Sequence, residues 1–106
     1  MKLPVTISDR AFGELNAAYE WWAKNRSADQ ALDWYNGFIA LIKTLNDNPT
    51  QWPLALENDE FPFELRQRNY GSERRLTHRA VFTVRPDMIF VLRIRHLAQD
   101  KISPDD

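Results

Sequence analysis

The chain contains no cysteine, which excludes a disulfide scaffold, a thiolate-bound zinc and thiol catalysis. Histidine is scarce: His78 and His96 are the two present, and they do not stand at metal-ligand spacing, so a metal centre would have to rest on carboxylates. None is expected. Three glycines leave no glycine-rich phosphate loop, no Ser-His-Asp set or paired-carboxylate motif can be assembled, and no cofactor is expected. Long apolar runs are also missing. Met1-Lys2-Leu3-Pro4-Val5-Thr6-Ile7 leads straight into Ser8-Asp9-Arg10, too short for a membrane span or a signal peptide, so a cytoplasmic location is expected. Lysine is absent from Glu64 to His96, a stretch with eight arginines and three acids.

What is present fits one domain over residues 1–106, with 43% hydrophobic and 27% charged residues. A domain of this size buries roughly two thirds of its unfolded surface, so one modest core has to hold it together. The net charge of -1 hides a division along the chain. Residues 1–60 carry five Lys/Arg against nine Asp/Glu, while residues 61–106 carry nine against six. That asymmetry suggests an anionic partner for the C-terminal half, although the whole chain is not basic enough to bind nucleic acid by bulk charge.

Leu3–Ile7 reads as a short strand. Ser8 is a candidate N-cap, Asp9 favours the positive end of a helix dipole, and Ile7 and Phe12 stand at hydrophobic-staple positions, so a helix is predicted from residue 9. Phe12, Leu15, Tyr19 and Trp22 form its apolar stripe, and Asn25 and Arg26 close it. Ser27-Ala28-Asp29-Gln30 has the form of a capping box. Ala31, Trp34, Tyr35, Phe38, Leu41, Ile42 and Leu45 then keep helical spacing until Asn46-Asp47-Asn48-Pro49. The short connection predicts an antiparallel helical hairpin with Trp and Tyr in its seam.

Residues 49–62, with three prolines and the acidic run Glu57-Asn58-Asp59-Glu60, read as a surface loop. The period then changes from 3.6 to 2. Phe63–Tyr70, Arg74–Val84 and Met88–His96 alternate, separated by turns at Gly71-Ser72-Glu73 and Arg85-Pro86-Asp87, which predicts a three-stranded antiparallel meander. The tail Lys101–Asp106 is expected to be mobile. The fold expected is therefore α+β, with a short N-terminal strand and a helical hairpin packed on one face of a small antiparallel sheet.

Strict alternation places Arg66, Arg68, Arg75, Arg79, Arg93 and Arg95 on the sheet face turned away from the helices, with Ile89 and Val91 as an apolar end to that surface. Two readings stand. One is a solvated face covered by arginine stems. The other is a binding surface for phosphate or an acidic, partly apolar partner, since the planar guanidinium grips carboxylate or phosphate in two hydrogen bonds and stacks on bases. On either reading Arg79→Ala should cost less than about 0.5 kcal/mol of stability, as outward strand positions usually do. His78 falls in the inward set as a hydrogen-bonded core residue, and His96, at the end of the last strand, is the candidate general acid or base.

The element order, with Val5-Thr6-Ile7-Ser8-Asp9-Arg10-Ala11, Arg79-Ala80-Val81-Phe82-Thr83-Val84 and Ile89-Phe90-Val91-Leu92-Arg93-Ile94-Arg95-His96, resembles the RelE/ParE superfamily of bacterial toxins over residues 3–100. The resemblance implies a growth inhibitor of the plasmid-stabilisation type, silenced by a cognate antitoxin in a hetero-oligomer. The ParE branch implies DNA gyrase as target, and the RelE branch a ribosome-dependent mRNA endoribonuclease without a metal. For RelE-like cleavage Arg66, Arg68 and Arg79 would bind phosphate and His96 would move a proton. Arginine is a poor base where RelE has lysine, and no tyrosine follows His96. These departures favour a ParE-like member. A non-toxic nucleic-acid-binding module is the remaining alternative.

Overall fold

A computed structural model describes residues 2–72 and 75–105. Strand β1 (Val5–Ile7) is followed by helices α1 (Asp9–Asn25) and α2 (Ala28–Lys43), then by strands β2 (Arg66–Ser72), β3 (Arg75–Val84) and β4 (Ile89–His96). Both helices begin at the expected caps: Ser8 Oγ accepts from Ala11 N–H, and Ser27 Oγ accepts from Gln30 N–H, each at 3.0 Å. Only Arg26 and Ser27 separate the two helices, so they fold back on each other as a hairpin. Tyr19 meets Tyr35 edge-on, and Trp22 stacks on Trp34, which fills the seam with the expected aromatics.

The stripe that α1 buries departs from the expected one at Phe12, while Leu15, Tyr19 and Trp22 pack inward as expected. Ala11 and Leu15 are fully buried, with Ala18 and Trp22 continuing the row, while Phe12 is 40% exposed. A small alanine under the first turn lets the helix lie close to the sheet, and this rotates Phe12 outward.

The sheet order is β1-β4-β3-β2, with β2, β3 and β4 forming the antiparallel meander and β1 added parallel to β4. Arg74 and the last residue of the expected Gly71-Ser72-Glu73 turn lie outside the described residues. The helical hairpin covers one face through Phe38, Ile42, Ala80, Phe82, Val91 and Ile94. The opposite face is covered as well. Residues 53–65 fold back over it, and Ala55, Leu65, Val81 and Ile102 form a second small core there, with Phe61 and Leu92 against it. Leu54 bridges to Arg66, and Gln67 N–H donates to Pro53 O, so this segment also runs along the outer edge of β2. The tail expected to be mobile is anchored at Ile102, which is 2% exposed.

Candidate functional site

The six arginines do not converge on one face. Partners across an antiparallel ladder share a face, and Arg66, Arg68 and Tyr70 stand opposite Phe82, Ala80 and His78, on the helix side. Neither face of β2 is strongly apolar, so Tyr70 decides which one turns inward. Its ring stacks on Phe38 with centroids 4.4 Å apart, and its hydroxyl donates to Trp34 O at 3.0 Å. Arg66 consequently donates to Glu64 and to the carbonyl of Trp52, while Arg68 lies 3.9 Å over the Trp52 ring and donates to Thr44 Oγ1.

In β4 a bulge breaks the alternation. Val81 pairs with Arg93 and Phe82 with Val91, which leaves Leu92 unopposed. Ile89 and Val91 therefore belong to the helix-side core rather than to the arginine surface. Beyond the bulge, Arg93 and Arg95 share the outer face with Arg79, as expected.

These three are engaged by the protein itself. Arg79 is 1% exposed, and its Nη1 and Nη2 donate to Oε1 and Oε2 of Glu57 at 2.8 and 2.5 Å. Glu57, fully buried, also accepts from Ile102 N–H at 2.9 Å, and Gln67 Oε1 takes a further Arg79 proton at 3.1 Å. Burial pushes the Glu57 carboxyl up, but the hydrogen bonds from Arg79 and Ile102 and the charge of Arg79 outweigh it and hold the group below its ordinary range. Arg93 is gripped by Glu14 of α1 through Nε and Nη2, the latter at 2.8 Å. Arg95 donates to Asp100 O at 2.7 Å. Of the six, Arg75 alone is exposed and makes no ion pair among the described residues.

His78 and His96 pair across β3 and β4, with ring centroids 5.0 Å apart. His78 packs on Trp34 and exchanges a hydrogen bond between Nδ1 and Thr77 Oγ1, the core role expected for it. His96 is exposed, and its Nδ1 accepts from Ala98 N–H at 3.0 Å. Burial, reinforced by the charge that His96 can carry, lowers the His78 pKa to about 4. The unfolded chain would protonate His78 near 6.5, so between that value and about 4 the unfolded state binds more protons and stability falls as the pH drops. The fall should reach up to about 3 kcal/mol across the window. Glu57 acts lower still: its contribution is complete above the unfolded value of 4.5 and is lost as the pH falls through the depressed folded value. Urea unfolding at several pH values, with the wild type beside His78→Gln, measures this; an unchanged slope above pH about 4.5 in the variant would refute the assignment to His78.

Two of the concavities among the described residues bear on function. One, of about 390 Å³, lies beside the end of α1 and is lined by Trp21, Trp22, Arg26, Arg75, Thr77, His78 and His96. The other is an apolar groove on the outer side of the sheet, between Phe61, Phe63, Phe90, Leu92 and Pro104, with Arg10 at its margin. Sequence reasoning missed Glu14 and Glu57 as the arginines' partners and missed Trp21 and Arg26 as lining residues. Trp21 did carry a signal, since it is a large aromatic lying off the helix stripe. Glu57 carried none, because it sits in an acidic run that reads as solvated. Among the described residues there is no cluster of three or more metal-ligating side chains, and no helix is long and apolar enough to cross a membrane.

A helical hairpin closing one face of a mixed four-stranded sheet, with the other face partly covered by a loop and the tail, defines a small α+β fold. The chain belongs to the family of ParE toxins of type II toxin–antitoxin systems (parDE), which it matches over residues 5–101. It is the toxin component of such a module, and a cognate antitoxin is its partner. No functionally curated protein is significantly similar in sequence. Among solved structures, a chain of the chromosomal ParDE TA system from P. aeruginosa is similar in fold, with a TM-score of 0.70 and 21% identity over 90% of this chain and 96% of that one.

Proposed function

We propose that this toxin acts by binding a macromolecular target, DNA gyrase, rather than by cutting RNA, and that its antitoxin masks it by occupying the outer groove. The observation that carries this reading is the engagement of Arg79 by buried Glu57. A guanidinium whose two outer nitrogens both serve one internal carboxylate is not available to bind the phosphate of a cleavage transition state. Arg66 and Arg68 are likewise occupied on the helix side. His96 remains exposed, but no phosphate-binding arginine of that trio stands with it in the recess.

The groove between Phe61, Phe63, Phe90 and Leu92 suits the antitoxin. Apolar anchors of an extended or helical segment would fill it, and acidic residues would meet Arg10 and Arg85, the latter lying over Phe90 at 4.2 Å. Inducing the gene and following DNA, RNA and protein synthesis separately tests the target. The expected result is a DNA-damage response with intact mRNA, together with loss of supercoiling by purified gyrase when the toxin is added. Early arrest of translation with mapped mRNA cuts would overturn it.

A further inference from the structure

The recess at the end of α1 is a second concavity, away from the outer groove, and its chemistry differs from the groove's. Its walls are indoles: Trp21 is 53% exposed and meets Trp22 edge-on with centroids 5.6 Å apart. A tryptophan left that open on a small domain offers a large flat surface to a ligand. At its rim stand two exposed guanidiniums, Arg26 and Arg75, and the exposed imidazole of His96, while no carboxylate among the described residues lines it. Arg26 leans toward the Trp22 face at 6.0 Å, and Arg75 has no ion-pair partner among the described residues. The floor is held in place: His78 is buried, bonded to Thr77 and packed on Trp34.

We propose that this recess binds a nucleotide unit, with the base against the Trp21 and Trp22 indoles and the phosphate held by Arg26 and Arg75. Three observations select that chemistry. The volume of about 390 Å³ lies in the range of small-ligand sites and suits one nucleotide. Indole faces stack on any base. A pair of guanidiniums with no acid beside them among the described residues favours a phosphate over a neutral aromatic ligand. His78, neutral through its lowered pKa, adds no charge to the floor near pH 7. The site stands apart from the gyrase reading and could fail with that reading intact.

The nucleotide could arrive free or as part of a single strand, and one titration separates the two. The full-length protein, labelled with ¹⁵N, is titrated with AMP, with inorganic phosphate and with a short single-stranded oligodeoxyadenylate, following the indole Nε1–H resonances. Saturable shifts of Trp21 and Trp22 are expected, with Trp52, which lies under Arg68, unmoved. Arg75→Ala and Trp21→Ala should each weaken binding at least about tenfold, the worth of one charge-assisted contact or one stacked base. Both residues are exposed, so the variants should keep the wild-type fold. Lys43→Ala, an exposed cation at the end of α2 away from the recess, should bind as the wild type does. Saturation by AMP identifies a free-nucleotide site, and saturation by the oligonucleotide alone identifies a strand site. No saturable shift with either, equal affinity in Arg75→Ala, or phosphate binding as tightly as AMP would each overturn the proposal.

Discussion

Arg79→Ala is expected to destabilise the protein by about 3–5 kcal/mol, a loss read directly from urea unfolding. The sequence places Arg79 on an outward strand position, where the same change would cost almost nothing. In the structure the guanidinium is 1% exposed, and its removal leaves the Glu57 carboxylate buried without a charged partner, held by backbone N–H groups such as that of Ile102. Taking a charge out of water costs several kcal/mol unless a partner and hydrogen bonds offset it, and alanine supplies neither. For a domain whose total stability is about 5–15 kcal/mol, this is a large fraction. The loss should come from the unpaired charge rather than from a missing surface contact, which a second variant checks. Replacing Arg79 with Met and Glu57 with Leu together should recover most of it, because a packed apolar pair substitutes well for a buried ion pair. If Arg79→Ala unfolds like the wild type, Arg79 does not hold Glu57 in solution. A loss of toxicity in Arg79→Ala would report unfolding rather than a lost contact to a target.

Glu14→Ala should be the next most damaging change, at about 2–4 kcal/mol. Strand β1 ends at Ile7, and past the hydrogen bonds of Ser8 to Val91 O and Leu92 O no further strand pairs with β4 on that side among the described residues. The Glu14 carboxylate stands where the next strand residue would be, accepting from Ile94 N–H at 2.9 Å and from Arg93 Nε and Nη2. One side chain of α1 thereby caps a sheet edge, pairs an arginine that is 8% exposed and fixes the helix against β4. Alanine leaves that arginine and the Ile94 amide without this acceptor. Glu14→Gln keeps a carbonyl oxygen for Ile94 and should lose distinctly less. Amide exchange at Ile94 should quicken in Glu14→Ala before global unfolding does, because the capped edge opens locally. Exchange at Ile94 as slow as in the wild type would show that the carboxylate does not protect this edge.

Local signals predicted the helices well. Ser8 and Ser27 cap them because a side-chain oxygen next to an unpaired N–H needs no tertiary partner, and the aromatic seam follows from spacing along two short, directly connected helices. The arginines were less legible, and for particular reasons. Alternation assigns the two faces of a strand but does not say which faces inward when both are polar, and in β2 that choice rests on Tyr70 reaching Phe38 and Trp34. The bulge at Leu92 shifts the period by one residue and leaves no mark in the sequence. A loop with acids and prolines gives no sign that one of its carboxylates is buried.

The sequence by itself determined the order of elements, the helix caps, the α+β class and the likeness to the RelE/ParE superfamily, because each depends on contacts between residues close along the chain or on periodic pattern. Tertiary structure alone decided which arginines are free. That outcome depends on Glu14, 79 residues from Arg93, and on Glu57, 22 residues from Arg79. Whether a charge meets solvent, a partner or the protein's own carboxylate is fixed only when distant segments come within hydrogen-bonding distance, since the energy of a guanidinium depends on what surrounds it and not on the strand position that carries it.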